Sequence, residues 1–182
     1  MKKILLFSIL SLTLFSLSSC ERDESLDPRP IIVDGNFMRL DITSRKINYD
    51  DLANSYFGGT LTNPGGKTVQ YDLSVRRTDV NTNLSGEFVH LKTITTFPFE
   101  LKVYAQEIAD VLGIPLSQLN KNDVIRFIGT AKDAQGNLTN FYNLSPTIQS
   151  NQAYYKEAFR FGTYIVGAAE LNSPTPDNYD PQ

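Results

Sequence analysis

Chemistry-bearing residues are sparse in this chain. It has one cysteine, Cys20, one histidine, His90, and no tryptophan. A nucleophilic triad needs a histidine with a nucleophile and an orienting carboxylate, and a zinc site needs several nitrogen or sulfur ligands. His90 stands alone inside "EFVHLKT" and reads as a surface or strand-pairing residue. No Gly-x-Ser-x-Gly elbow, Ser-x-x-Lys pair, Gly-x-Gly-x-x-Gly turn or P-loop occurs. Asp50-Asp51 is the most conspicuous acid pair, but adjacent acids in a loop are ordinarily solvated. Asp133 with nearby loop carbonyls is an oxygen set of the kind calcium takes, yet no dense Asp-x-Asp pattern accompanies it. The expectation is no catalytic residue, no cofactor and no metal. Aromatic rings are the remaining candidates, because exposed rings can stack on ligand faces. Tyr154-Tyr155 and Phe141-Tyr142 are adjacent pairs; in a strand, one ring of each pair faces out. Tyr142, Tyr154 and Tyr155 are therefore the candidate ligand-binding residues, against the plainer reading of core or edge positions favoured in strands.

The surroundings of Cys20 say more than its thiol. Met1-Lys2-Lys3 is followed by "ILLFSILSLTLFSL", an uncharged run closed by Ser18 and Ser19. A basic start, a short apolar core and small residues at its end describe a secretory signal peptide. The run is shorter than the roughly 18–20 residues a spanning helix needs. Leu17, Ser18, Ser19 and Cys20 resemble the bacterial lipobox. That resemblance implies cleavage before Cys20, a thioether from its sulfur to diacylglycerol, and an acyl group on the new amino terminus. One chain anchors marginally and two or three effectively permanently, at ~0.8 kcal/mol per buried methylene. The competing reading is a free or buried cysteine near an ordinary signal-peptidase site. With Cys20 modified, disulfides, thiolate metal sites and cysteine nucleophiles all drop out.

Positional organisation follows. Residues 1–19 read as the lipoprotein signal peptide and 20–30 as an acidic tether, "CERDESLDPRP", with little to bury. Residues 31–171 read as one β domain and 172–182 as a flexible, proline-bearing tail. Net charge is −3, and the basic residues are scattered, so nucleic acid is not an expected partner. Short strand-like runs alternate with turns. "KTVQYDLSVRR" places Val69, Tyr71, Leu73 and Val75 on one face; "FPFELKVY" does the same for Phe97, Phe99, Leu101 and Val103. Gly58-Gly59 inside "SYFGGTLTN" predicts a bulge or a close backbone approach. Strands are also predicted in "DVIRFIGTAKD", "LTNFYNLS" and "EAFRFGTYIVGA". One segment has helical spacing: Ala105, Ile108 and Leu112 share a face, Gly113 suits the helix end and Pro115 cannot continue it. Seven or eight strands with one helical crossover have the spacing of a β-sandwich.

"GTAKDAQGNLTN" is similar to the penultimate hairpin of bacterial immunoglobulin-like domains. In its turn Asp133 caps with its side chain, while Gly136 and Asn137 tolerate positive φ. Together with the lipobox, the tether and the insert "EIADVLGIPLSQLNKNDVIRF", the chain resembles small Bacteroidota surface lipoproteins with an immunoglobulin-like sandwich, near the SusE type encoded beside glycan importers. The resemblance implies an all-β, immunoglobulin-like β-sandwich with one short helical crossover. It places the protein at the outer membrane, lipid-anchored and surface-exposed, as a non-enzymatic binding or accessory module. "ERDE" after Cys20 reads either as a surface-export signal or as a soluble spacer. The partners so implied are the membrane, through the anchor, and a glycan or an outer-membrane protein. The alternative is a structural or assembly component that contacts an envelope protein. A shared fold does not transmit a ligand.

Overall fold

Alternation of apolar and polar residues becomes two sheets in the computed structural model, which describes residues 36–174. The expected signal peptide, Leu17, Ser18, Ser19, Cys20 and the expected tether lie outside the described residues. β1 (Arg39–Ser44), β3 (Tyr56–Thr62) and β6 (Phe99–Tyr104) form a three-stranded antiparallel sheet with β3 in the middle. The larger sheet runs β2 (Ile47–Asn48), β9 (Arg160–Val166), β7 (Val124–Asp133), β4 (Thr68–Thr78), β5 (Val89–Ile94). β8 (Leu138–Asn140) pairs with the end of β7 that β9 does not reach. Every pairing is antiparallel except β2 with β9. The described chain is mostly β-sheet with short helical pieces. None of its described helices is long and apolar enough to cross a membrane.

The inner faces share one core. Phe57 of β3 stacks on Phe127 of β7 and Phe161 of β9, with ring centroids 5.2 and 5.8 Å away, and the latter two are 5.3 Å apart. Such ring pairs contribute ~0.5–1.5 kcal/mol each beyond the area they bury. Tyr71 is fully buried and donates its hydroxyl to the Ala158 carbonyl. Burial, and then the Glu157 carboxylate, push this phenol well above its ordinary titration range.

The helical segment falls as its spacing predicts. α1 (Ala105–Leu112) buries Ala105, Ile108 and Ala109 and ends at Gly113, whose φ is +67°. A 3₁₀ turn at Leu116–Gln118 completes the connection from the small sheet to the large one. Gly58 and Gly59 also behave as expected: a Cβ at either would strike backbone, of Leu101 at Gly58 and of Asp41 and Ile42 at Gly59. The β1–β3 register slips opposite them, between Ile42 and Ser44.

Four expectations are corrected. Val69 does not join Tyr71, Leu73 and Val75 in the core, because the β4–β7 register slips between Thr68 and Gln70. That bulge reverses the parity of everything before it. "LTNFYNLS" is a strand only over Leu138–Asn140. Phe141–Asn143 is a 3₁₀ turn in which the Tyr142 amide donates to Asn140 Oδ1 at 2.9 Å and the Asn140 amide to Asn143 Oδ1 at 2.8 Å. Side-chain oxygens here supply the partners that a strand ladder would have supplied. Tyr154 and Tyr155 are likewise not in a strand. Ser145 caps α2 (Pro146–Ser150), and α3 (Gln152–Tyr155) carries both tyrosines before Lys156 turns the chain at φ +53°. With β2 and β8 counted, the described residues hold nine strands, not seven or eight.

Candidate functional site

Asp133 caps the hairpin turn with its side chain and Gly136 takes its positive φ, as expected, whereas Asn137 does not take a positive φ and instead donates to Asp133. Asp133 Oδ1 accepts from the backbone amides of Gln135 (3.0 Å) and Asn137 (2.8 Å), and Oδ2 accepts from Asn137 Nδ2 (2.8 Å). Gly136 has φ +89°. The Asn137 side-chain amide, followed by the backbone amides of Asn137 and Gln135, holds the carboxyl below the usual aspartate range, against the opposing effect of burial. The turn therefore gains from an ionised Asp133 above that range and loses this support as pH falls through it. These donors occupy the carboxylate in a structural role. Among the described residues no group of three or more His, Cys, Asp or Glu side chains could hold a metal.

Of the tyrosines chosen from sequence, Tyr142 and Tyr154 are exposed, at 74% and 82%, and Tyr155 is half-buried. They do not make a flat platform. Tyr142 meets the buried Phe141 edge-on (82°), and Tyr154 meets Tyr155 edge-on (88°). His90 is exposed on β5, opposite Ser74, with Nε2 3.4 Å from the Thr93 hydroxyl. Asp50 accepts the Ala168 amide at 2.7 Å and Asp51 accepts from Asn54 Nδ2 at 2.9 Å, so each fastens a loop.

A better-built surface lies on the outer face of the small sheet. Cross-strand partners point the same way. Tyr56 opposes Tyr104, Gly58 opposes Lys102, Thr60 opposes Glu100 and Asp41, and Thr62 opposes Arg39. The Tyr56 and Tyr104 rings are 5.4 Å apart and tilted by 53°, and Lys102 Nζ stands 5.5 Å from the Tyr56 centroid. Thr60 donates to Glu100 Oε2 at 3.3 Å. Farther along, Arg39 grips Asp41 with Nε and Nη2 (3.1 and 3.0 Å), and Lys156 Nζ donates to the same carboxylate at 2.5 Å. The Arg39 hydrogen bond first, then that of Lys156, holds Asp41 below the usual aspartate range. From Tyr56 to Thr62 this row spans roughly 20 Å at ~3.3 Å per residue.

At its far end the row meets a cleft of about 780 Å³, lined by Arg39, Asp41, Asn63, Thr68, Phe97 and Pro98 among others. Sequence reasoning passed over this face, although it carries a legible signal. Tyr104 shares the parity of Glu100 and Lys102, opposite to Leu101 and Val103. An aromatic ring on the polar side of an alternating strand is the kind of residue a core does not require. Set against known proteins, the chain matches no family model, no curated protein and no solved structure.

Proposed function

We propose that this chain is a non-enzymatic, lipid-anchored envelope protein whose domain is an immunoglobulin-like sandwich, and that it binds glycan on the outer face of the small sheet. The observation that carries the reading is the cross-strand pair Tyr56–Tyr104 with Lys102 beside it and a polar row beyond. Sugar rings present an apolar C–H face and a hydroxyl rim, which suits rings flanked by Thr, Glu, Asp and Arg side chains. Strand order supports the fold assignment: the opening strands divide between the two sheets, and a helical crossover leads from the small sheet to the central strand of the large one. The lipobox residues Leu17–Cys20 support the anchor, and the acidic tether supports display at the outer-membrane surface.

Two measurements test this. Binding of the full chain to a panel of polysaccharides and oligosaccharides should yield at least one ligand. Replacing both Tyr56 and Tyr104 with alanine should weaken that ligand by about tenfold, or ~1.4 kcal/mol; an unchanged affinity excludes the face. Separately, Cys20→Ala should move the protein from the membrane fraction to the soluble one, and continued partition with membranes would refute the anchor.

A second reading has its own observation. Leu84, Phe88 and Val89 are exposed at and before β5, the edge of the large sheet. A structural component would use such an edge to contact an envelope protein. A stoichiometric partner in envelope extracts, with no glycan bound by the purified chain, favours that reading.

A further inference from the structure

Two arginines confront each other on the outer face of the large sheet. Arg76 of β4 pairs directly with Arg126 of β7. Val75, Ile125 and Phe127 beside them are buried, so alternation turns both guanidiniums away from the core. Directly opposed residues have Cβ atoms ~4.5–5.5 Å apart, and like charges so placed destabilise a sheet. Arg39, Arg77, Lys92, Lys121 and Lys156 each hold a carboxylate. Among the described residues Arg76 and Arg126 hold none. Asp72, the acid that β4 turns to this face, is engaged by Gln70 Nε2 and the Thr93 hydroxyl at 2.7 and 2.5 Å.

Both guanidiniums are held in place yet can be reached. Arg76 lies over the Phe88 ring, 4.6 Å from its centroid, and Arg126 Nη1 donates to the Thr78 hydroxyl at 3.0 Å. Within the pair only Arg76 Nε is buried without a partner. Nη1 and Nη2 of Arg76, and Nε and Nη2 of Arg126, stay open to solvent. Arg160 of β9, diagonal to Arg126, lies over Phe141 at 3.8 Å. Three adjacent strands thus concentrate positive charge on one face of a chain whose net charge is −3.

An oxyanion is the group that answers such a pair. A guanidinium offers its donors in a flat fork that matches a carboxylate through two parallel bonds. A carboxylate between two forks also removes the repulsion between them. The surroundings favour one borne on a sugar. Ser74 and His90, cross-strand partners on the same face, offer a hydroxyl and an imidazole, and the exposed part of Phe88 offers apolar surface to C–H groups. An acidic peptide gains most of its affinity by pairing its backbone with a free sheet edge, whereas β4 and β7 are paired on both sides.

We propose that Arg76 and Arg126 form a second ligand site, which takes the carboxylate of an acidic saccharide of the hexuronate type. The site stands whether or not the small-sheet face binds glycan. Oligomers of galacturonate and glucuronate, and of neutral galactose and glucose, are titrated into the ¹⁵N-labelled full chain in detergent. At least one uronate oligomer should shift the Nε–H signals of Arg76 and Arg126, and its neutral counterpart should shift neither. Arg76→Gln and Arg126→Gln should each lose about tenfold in affinity. Arg126→Lys keeps the charge without the fork and should recover only part of that loss. The variant with alanine at both Tyr56 and Tyr104 should show the same arginine shifts as the parent. Melting curves verify that each variant is folded; should a glutamine variant melt well below the parent, Arg126→Lys decides, and parent-like affinity in it overturns the site. Arginine signals that no uronate moves, or uronate binding that survives both glutamine substitutions, also overturn it. If tetraglutamate or inorganic sulfate moves those signals and no uronate does, the face takes acidic peptide or a simple anion, and the saccharide assignment is overturned.

Discussion

Asp123→Ala is expected to destabilise the fold by about 3–5 kcal/mol, the range for breaking a buried ion pair from one side. Asp123 is wholly buried. Its Oδ2 accepts from Arg77 Nε and from the Asn120 amide, at 2.6 and 2.7 Å, and its Oδ1 accepts from the Val80 amide at 3.0 Å. One carboxylate thus ties the turn that leads into β7 to the loop that follows β4. Arg77 also holds Asp79 at 2.8 Å and remains partly accessible to solvent, so its charge is not stranded by the substitution. That places the effect towards the lower end of the range. The two backbone amides have no such second partner among the hydrogen bonds described. Asp123→Asn should recover only part of the loss, because its amide nitrogen brings a donor into a site made of donors. Chemical denaturation decides the matter: a midpoint within experimental scatter of the parent would show that water replaces the carboxylate freely.

Phe57→Ala should be comparably severe, at about 3–5 kcal/mol. Phe57 is the one ring of the three-phenylalanine stack that belongs to the small sheet. Its truncation opens a cavity where the two sheets meet, and neither Phe127 nor Phe161 can follow the vacated volume without leaving its own strand register. Phe57→Leu keeps most of the volume and should cost less than ~1.5 kcal/mol. Tyr104→Ala provides the contrast from the opposite face of the same sheet. At 41% exposure it should change stability by less than ~0.5 kcal/mol. A core that tolerated Phe57→Ala with a loss below ~1 kcal/mol would contradict the stacked arrangement.

Much of the fold was legible wherever a residue's role depends on its near neighbours. Alternation located β4, β6 and β7; the αL glycine at 113 with Pro115 beyond located the end of α1; Asp133 and Gly136 located the hairpin. Caps were also local, and the Asn140–Asn143 pair and Ser145-Pro146 could have announced the helical turns that replace the expected strand. What no window reveals is register. Val69 is expelled by a slip against a strand far along the chain, and Tyr56 meets Tyr104 only because β3 and β6 pair at that offset. Asp123 likewise gives no hint in "NKNDV" that it will meet Arg77. The candidate ligand face was therefore the least legible part, since its residues belong together only after the sheet has formed.

The parallel pairing of β2 with β9 has a consequence in time. Thr163 donates its hydroxyl to the Arg45 carbonyl across 118 residues of sequence, and Ile47 pairs with Ile165. Early and late segments of the domain are thus mutual templates, and the large sheet cannot be completed until the last strand has been synthesised. Folds dominated by such distant pairings close slowly, in milliseconds to seconds. The strand that locks the domain shut is therefore the last to arrive, and until β9 is made the large sheet stays open.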